Sequence, residues 1–303
     1  MRFKENKITK EELKKRQNSS LEQKIELSLE KIKEFYEHND GQVYVAFSGG
    51  KDSTVLLNLV RIRYPDVPAI YVNTGLEYPE INEFVKTIDN VITLRPEMNF
   101  REVIKTQGYP AVSKKVSQQV RILKNPKPEN KATRNLYLTG IKKDGSINNY
   151  FKLSKKWRKL IDAPFDVSEK CCNIMKKKPV HIFEKETGLS GFVGTMASDS
   201  SMRKASYMST GCNNYKKGQS TPIAFWLESD VWDYLKTYKI KYSSIYDKGL
   251  DRTGCMFCMF GAHLEKEPNR FQVMKKIHPE LHDYCMNNLG CKQVCDFIGV
   301  KTE

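Results

Sequence analysis

Val43-Tyr44-Val45-Ala46-Phe47-Ser48-Gly49-Gly50-Lys51-Asp52-Ser53 is the stretch that decides the fold. A short apolar run of strand formers enters two glycines and leaves as a helix, predicted from about Asp52 to Arg63, with Val55, Leu56, Leu59 and Ile62 on its inner face. A strand that turns through glycine into a helix brings backbone N–H groups and the positive helix end to one point, an arrangement suited to an anion. Gly49 and Gly50 permit the close approach that a side chain would block, and Ser48 and Ser53 add hydroxyl donors. Lys51 adds a positive charge, and it and Asp52 are the candidate catalytic side chains of the turn. The four-residue spacer of the Walker loop is missing before Gly-Lys, so this is a different phosphate loop.

Working outward, Ser19 and Glu22 form a candidate capping box ahead of Leu21, Ile25, Leu29, Ile32 and Tyr36, which predicts one amphipathic helix ending near His38. Residues 1–18 are polar and expected to be frayed or loosely helical. Downstream, Pro65 and Pro68 punctuate the chain before a second strand at Ala69-Ile70-Tyr71-Val72-Asn73, a helix from Tyr78 to Ile88 and a third strand at Val91-Ile92-Thr93-Leu94. Alternating strands and helices predict an α/β fold, a Rossmann-like, doubly wound parallel sheet. From Pro96 to about Pro164 the pattern is less regular, with turn signals at Gly108-Tyr109-Pro110, Pro126, Pro128, Gly140 and Gly145. Regularity returns with a helix across Cys171 to Glu186, a strand at Gly191-Phe192-Val193-Gly194 and a helix from about Ser229 to Tyr238. The expected division is an N-terminal helical segment (1–40), a nucleotide-binding domain (41–265) with a basic insertion at about 110–165, and a C-terminal helical tail (266–303).

The 303 residues suffice for a sizeable core, and a hydrophobic fraction of 39% with 11% aromatic residues excludes a disordered chain. Neither a signal-peptide h-region nor a run of about 18 apolar residues occurs, so the expectation is a cytoplasmic protein with no membrane partner. In a reducing compartment eight cysteines read as free thiols, metal ligands or redox groups. The formal charge of +15 is concentrated: Lys114 to Lys159 holds 14 basic residues against Glu129 and Asp144, with Tyr137, Tyr150, Phe151 and Trp157 interleaved. Segment 114–159 is therefore a candidate nucleic-acid surface, with a solvated lysine-rich face as the competing reading.

Ser48-Gly49-Gly50-Lys51-Asp52-Ser53 resembles the PP-loop of the adenine nucleotide alpha-hydrolase-like superfamily at every position. Asn73-Thr74-Gly75-Leu76-Glu77-Tyr78-Pro79-Glu80 is similar to the Asp-Thr-Gly-Leu-Glu-Phe-Pro-Glu segment of PAPS reductase-like proteins, with Asn73 in place of a carboxylate. Gly194 to Arg203 resembles the family's Gly-x-Arg-x-x-Glu-Ser-x-x-Arg, Met196 standing where an arginine is common, and Pro222 to Trp226 with Asp230-Val231-Trp232 resembles its packing elements. The resemblance covers about Gln42 to Val300. It implies an adenine nucleotide (ATP, APS or PAPS), admits Mg2+ with it, and implies nucleotide contacts from Ser48 to Ser53, Asn73, Thr74, Gly75, Ser200, Arg203 and Arg252.

Cys171-Cys172 and Cys255-Met256-Phe257-Cys258 supply four thiolates, enough for one four-cysteine site. Cys171-Cys172-x-x-x-Lys176-x-x-Pro179 looks like the element of iron-sulphur adenylylsulphate reductases, and implies a [4Fe-4S] cluster beside the nucleotide with Lys176 near it; zinc is the rival. Cys212 is a fifth candidate, so four of the five are expected to bind. In assimilatory sulphonucleotide reductases a Glu-Cys-Gly-Leu-His tail carries the cysteine that attacks the sulphate sulphur. Here the tail reads Leu289-Gly290-Cys291-Lys292-Gln293-Val294-Cys295, which leaves Cys291 as the candidate nucleophile, with Cys295 behind it. Two enzymatic expectations follow from the resemblance. One is APS or PAPS reduction with a thioredoxin-like reductant. The other is ATP pyrophosphatase chemistry that adenylates nucleic acid for sulphur insertion, with a cysteine desulphurase as a possible sulphur source.

Overall fold

The structure, a computed structural model, describes residues 7–303. The first six residues of the segment expected to be frayed lie outside the described residues. Eight strands occur in chain order: β1 (Val43–Ala46), β2 (Ala69–Val72), β3 (Val91–Leu94), β4 (Ala111–Val112), β5 (Ser190–Val193), β6 (Asn213–Asn214), β7 (Gln219–Ser220) and β8 (Met259–Phe260). The first helices are α1 (Lys10–Gln17), α2 (Leu21–His38), α3 (Lys51–Arg63), α4 (Pro79–Lys86), α5 (Phe100–Gln107), α6 (Lys114–Lys124) and α7 (Lys131–Thr139). They are followed by α8 (Lys178–Thr187), α9 (Ser201–Thr210), α10 (Glu228–Thr237), α11 (Arg270–Ile277), α12 (Pro279–Asp283) and α13 (Cys291–Ile298). The chain groups into two compact units, one of residues up to 73, 78–95 and 179–247, the other of residues 74–77, 96–178 and 248–303.

The first unit contains a six-stranded sheet in the order β3-β2-β1-β5-β7-β6, parallel throughout except for the β6–β7 pair. β1 pairs with β2 on one side and β5 on the other, so the strand order reverses beside β1. Ligands of open parallel sheets bind outside the carboxyl ends of strands at such a reversal. Helices cover both faces. On one, Ile32 and Phe35 of α2 and Val55, Leu56 and Leu59 of α3 are fully buried, and Phe35 meets Phe192 of β5 edge-on at 5.0 Å. On the other, Tyr44 packs edge-on against Phe183 of α8 at 5.6 Å and donates its hydroxyl to Glu184 at 2.8 Å. A fully buried Leu or Phe contributes about 1.5–3 kcal/mol relative to exposure, so α2 and α3 hold the sheet chiefly through these positions.

Several expectations are corrected. The capping box before α2 is Ser20 with Gln23, one residue later than Ser19 with Glu22, because the adjacent pair satisfies the same spacing. Residues 10–17 form a regular helix rather than a frayed segment, capped by Thr9 and anchored by buried Leu13. Ile62, expected on the inner face of α3, is 57% exposed; the buried face continues instead through Val60. Residues 96–164 are largely helical, with α5 started by an Asn99–Glu102 capping box and α6 by Ser113.

In the second unit the chain leaves at Tyr109 and returns at Val167, and these two residues bridge in parallel. Gly108 (φ 94°) makes this closure possible, since a Cβ there would lie 2.6 Å from the Asp166 carbonyl carbon. β4 pairs in parallel with β8, Ala111 opposite Met259 and Val112 opposite Phe260. Ser117 Oγ donates to the Ala111 carbonyl at 2.6 Å, which ties the start of α6 to that pair.

Candidate functional site

In the first unit the loop after β1 is held by its own atoms. Ser48 N–H donates to Ser53 Oγ at 3.1 Å, the two hydroxyl oxygens lie 3.1 Å apart, and the Ser53 and Thr54 hydroxyls donate to the Gly50 carbonyl at 2.9 and 3.0 Å. Gly49 adopts φ 73°, and a Cβ on it would stand 2.8 and 2.9 Å from Ile81 and Val85 methyls, so both backbone angle and space demand glycine. Gly194, at the end of β5, approaches the start of α3 so closely that a Cβ would lie 3.1 Å from the Asp52 carbonyl oxygen. Gly50 is the N-cap of α3 and provides no side-chain cap. The start of α3 thus adjoins the loop without a side-chain cap, the position at which helices bind anions.

Lys51 is held in place at the start of α3. Its ammonium is buried and pairs with Glu228 at 2.9 Å, with the rings of Trp232 and Tyr246 at 5.8 and 5.4 Å. The positive charge is thus anchored to α10 rather than extended along the loop. Its backbone N–H donates to the Tyr246 hydroxyl at 2.8 Å, which places a phenol oxygen on a donor at the helix start. Tyr246 lies 195 positions away in sequence, and nothing in the local pattern singles it out; Trp232 read only as packing.

Ser200 and Arg203 belong to the same unit as the loop. Ser200 caps α9, accepting from the Arg203 N–H at 3.2 Å, and the Arg203 guanidinium pairs with Asp199. Asn73 closes β2 through its N–H to the Leu94 carbonyl at 2.9 Å. Cys212 is buried in this unit, with Arg16 as an electrostatic neighbour.

The second unit brings the other four cysteines together. Thr74 and Glu77 form a closed turn in which the Thr74 N–H and hydroxyl both donate to the Glu77 carboxylate (2.9–3.0 Å), while Gly75 takes φ 73°. The Lys176 ammonium lies 3.5 Å from that carboxylate and hydrogen-bonds Cys255. Met256 N–H donates to the Leu76 carbonyl at 2.9 Å, which docks the Cys255–Cys258 turn onto the same segment. After Cys171-Cys172 the chain forms a wide π turn at Asn173–Lys177 before α8. Pro179, which lacks an N–H and cannot close a normal helical turn behind it, accounts for the widening.

Burial raises the thiol pKa of Cys171 and Cys255 and pushes Cys258 up to about 11. Cys255, Cys172 and Cys258 raise Cys171 further, whereas Lys176 acts the other way. Burial alone would lower Lys176, but Cys255, Glu77 and Cys172 outweigh it and hold its pKa up. Four thiols and one cation thus share a single electrostatic neighbourhood. Among the described residues, no three His, Cys, Asp or Glu side chains are disposed to grip a single metal ion. As a donor set, four neighbouring cysteines suit an iron-sulphur cluster, in which each thiolate binds a different iron, or zinc. Arg252 is exposed, three residues ahead of Cys255.

Cys291 is fully buried at the start of α13, and Cys285 and Cys295 are equally buried. A hydrogen bond with Cys291, then burial, raises the Cys285 thiol, and burial pushes Cys295 up to about 12. The candidate nucleophile is therefore packed among other thiols, away from solvent.

Residues 42–146 and 91–260 match the phosphoadenosine phosphosulfate reductase domain. Two uncharacterized proteins of Methanocaldococcus jannaschii are 29% and 25% identical over 86% and 88% of this chain, which spans about half of their length (45% and 53%). An adenosine 5′-phosphosulfate reductase of Staphylococcus epidermidis is 23% identical over 75% of this chain and 74% of its own. The crystal structure of a PAPS reductase from Candida auris in complex with phosphate aligns with a TM-score of 0.43 and 13% identity, over 82% and 95% of the two chains. With well over half of its residues inside the matching domain, this chain belongs to the phosphoadenosine phosphosulfate reductase domain family.

Proposed function

We propose that the protein is an adenine-nucleotide enzyme of sulphur metabolism that works on APS or PAPS and carries a [4Fe-4S] cluster on Cys171, Cys172, Cys255 and Cys258. The observation that carries this reading is the loop from Ser48 to Ser53, whose left-handed Gly49 and uncapped α3 turn main-chain donors toward an incoming oxyanion. Ser48 and Ser53 hold the loop shape, and Lys51, fixed by Glu228, sets a positive potential beneath it. Glu77 holds the Thr74 turn and Lys176 together beside the four thiols. A cluster bound there would supply a centre of charge at the four thiols. Reduction of the phosphosulphate needs two electrons, which a pair of thiols gives up as a disulfide while sulphite leaves together with AMP from APS or with adenosine 3′,5′-bisphosphate from PAPS; a thioredoxin-like dithiol is the fitting donor.

A second reading, ATP pyrophosphatase chemistry, gains from the burial of Cys291. A thiol at 0% exposure is poorly placed to attack a sulphate, and adenylation requires no tail thiol at all.

Anaerobically purified protein, incubated with a dithiol reductant and separately with APS, PAPS and ATP, is expected to release sulphite with AMP from APS, or sulphite with adenosine 3′,5′-bisphosphate from PAPS. AMP and pyrophosphate from ATP, without sulphite, would establish the second reading instead. Iron and zinc analysis of native protein beside Cys255→Ser tests the cluster: about four irons, lost in the variant, are expected. Zinc at one equivalent, or iron unaffected by the substitution, would refute it.

A further inference from the structure

We infer that the tip of the basic insertion, the Ile141–Ile147 hairpin with Tyr150 and Phe151, is a docking surface for single-stranded nucleic acid. The inference stands apart from which nucleotide the phosphate loop takes, because its observations lie in residues 114–159 and their immediate partners.

Charge comes first. Several of the insertion's cations are already engaged: Arg121 pairs with Glu169, and Lys124 donates to the Ala163 and Phe165 carbonyls. Lys114, Lys131, Lys143, Lys152 and Lys155 are exposed and, among the described residues, have no carboxylate within ion-pair distance. A surface so depleted of acidic partners favours a polyanion.

Exposed rings come second, and they are held rather than loose. Tyr150 and Phe151 are 70% and 38% exposed and meet edge-on at 5.3 Å. Their backbone is fixed from behind: the Lys115 ammonium bonds the Tyr150 carbonyl and lies 3.4 Å from the centre of its ring, and Gln119 donates to the Phe151 carbonyl at 2.6 Å. Beside them Ile147 is 71% exposed across the hairpin from Ile141. Keeping that much apolar surface in water is unfavourable without a partner.

A lipid surface would want a continuous apolar strip, whereas here Ile141, Ile147 and the two rings alternate with lysines and polar turn residues. Alternating planes and cations match a strand whose bases stack while its phosphates meet ammonium groups. Duplexes hide the base faces that these rings would cover, so single strands are the favoured form.

The test uses the full-length protein and fluorescence anisotropy with labelled single-stranded DNA and RNA of about 20 nucleotides, at about 50 and 200 mM salt. Binding should weaken at least tenfold across that salt range, and a duplex of equal length should bind more weakly. Lys142→Glu with Lys143→Glu is expected to cost about tenfold in affinity, and Tyr150→Ala about fivefold or more. Both are surface changes and should leave the melting temperature and adenine-nucleotide binding unaltered. Absence of binding at low salt, undiminished binding by the variants, or preference for the duplex would overturn the inference. So would capture by phosphatidylserine vesicles without any oligonucleotide binding, which would assign the tip to a membrane surface.

Discussion

The phosphate loop and the cysteine turn are organised in opposite ways. The loop is complete in eleven consecutive residues, and its serine hydroxyls already have partners within the loop itself. The cysteine region gathers Glu77, Cys171, Cys172, Lys176, Cys255 and Cys258 from three distant stretches, and burial raises the thiol pKa of Cys171, Cys255 and Cys258. The polar side chains of the one are already satisfied locally, whereas the thiols of the other would lose their protons only to a bound metal. A site made of backbone tolerates side-chain change but not added volume, and a site made of side chains behaves in the reverse way.

The largest effect that would test this contrast is expected from Gly49→Ala. A left-handed backbone and two methyls under 3 Å away should cost about 2–4 kcal/mol and abolish nucleotide binding, measured by thermal unfolding and calorimetry, while iron content stays unchanged. A variant that binds nucleotide normally would mean the loop is softer than its contacts imply. Next comes Tyr246→Phe. Without the hydroxyl, the Lys51 N–H is left for the ligand, and nucleotide affinity should rise about three- to tenfold by calorimetric titration. A fall in affinity would instead make Tyr246 part of the ligand shell.

The smallest effect concerns pH. Burial, reinforced by Glu184, raises the Tyr44 pKa well above the ordinary 10.0. The folded protein therefore keeps the phenol neutral while the unfolded chain ionises it, so this stabilisation is whole below pH 10 and declines as pH climbs beyond it. Tyr44→Phe should cost about 1 kcal/mol at neutral pH and make the alkaline decline shallower, followed by urea unfolding between about pH 8 and 11. An unchanged alkaline decline would remove Tyr44 as its source.

The contrast also explains what could be read from the sequence. β1, its loop and α3 were legible because strand residues, glycines and helical spacing are contiguous, and the order of alternating elements implied the parallel sheet. The capping box slipped by one residue because Ser19-Ser20 and Glu22-Gln23 each fit the pattern. α7 escaped notice because it is only nine residues long and buries none of them, yet the Asn99–Glu102 box before α5 was a signal in plain view. Lys51 could not be assigned to Glu228, nor its amide to Tyr246, since those pairings exist only once the sheet has brought positions nearly two hundred residues apart into contact.

The short β4–β8 pair bears on how freely this protein could be remodelled. Because Ala111 and Val112 flank Met259 and Phe260 directly after Cys258, the root of the insertion braces the thiol-bearing turn. Swapping or trimming is thus confined to the distal hairpin; an excision that reached the root would unseat the Cys255–Cys258 turn along with the lysines, and the two would be inherited or lost as one.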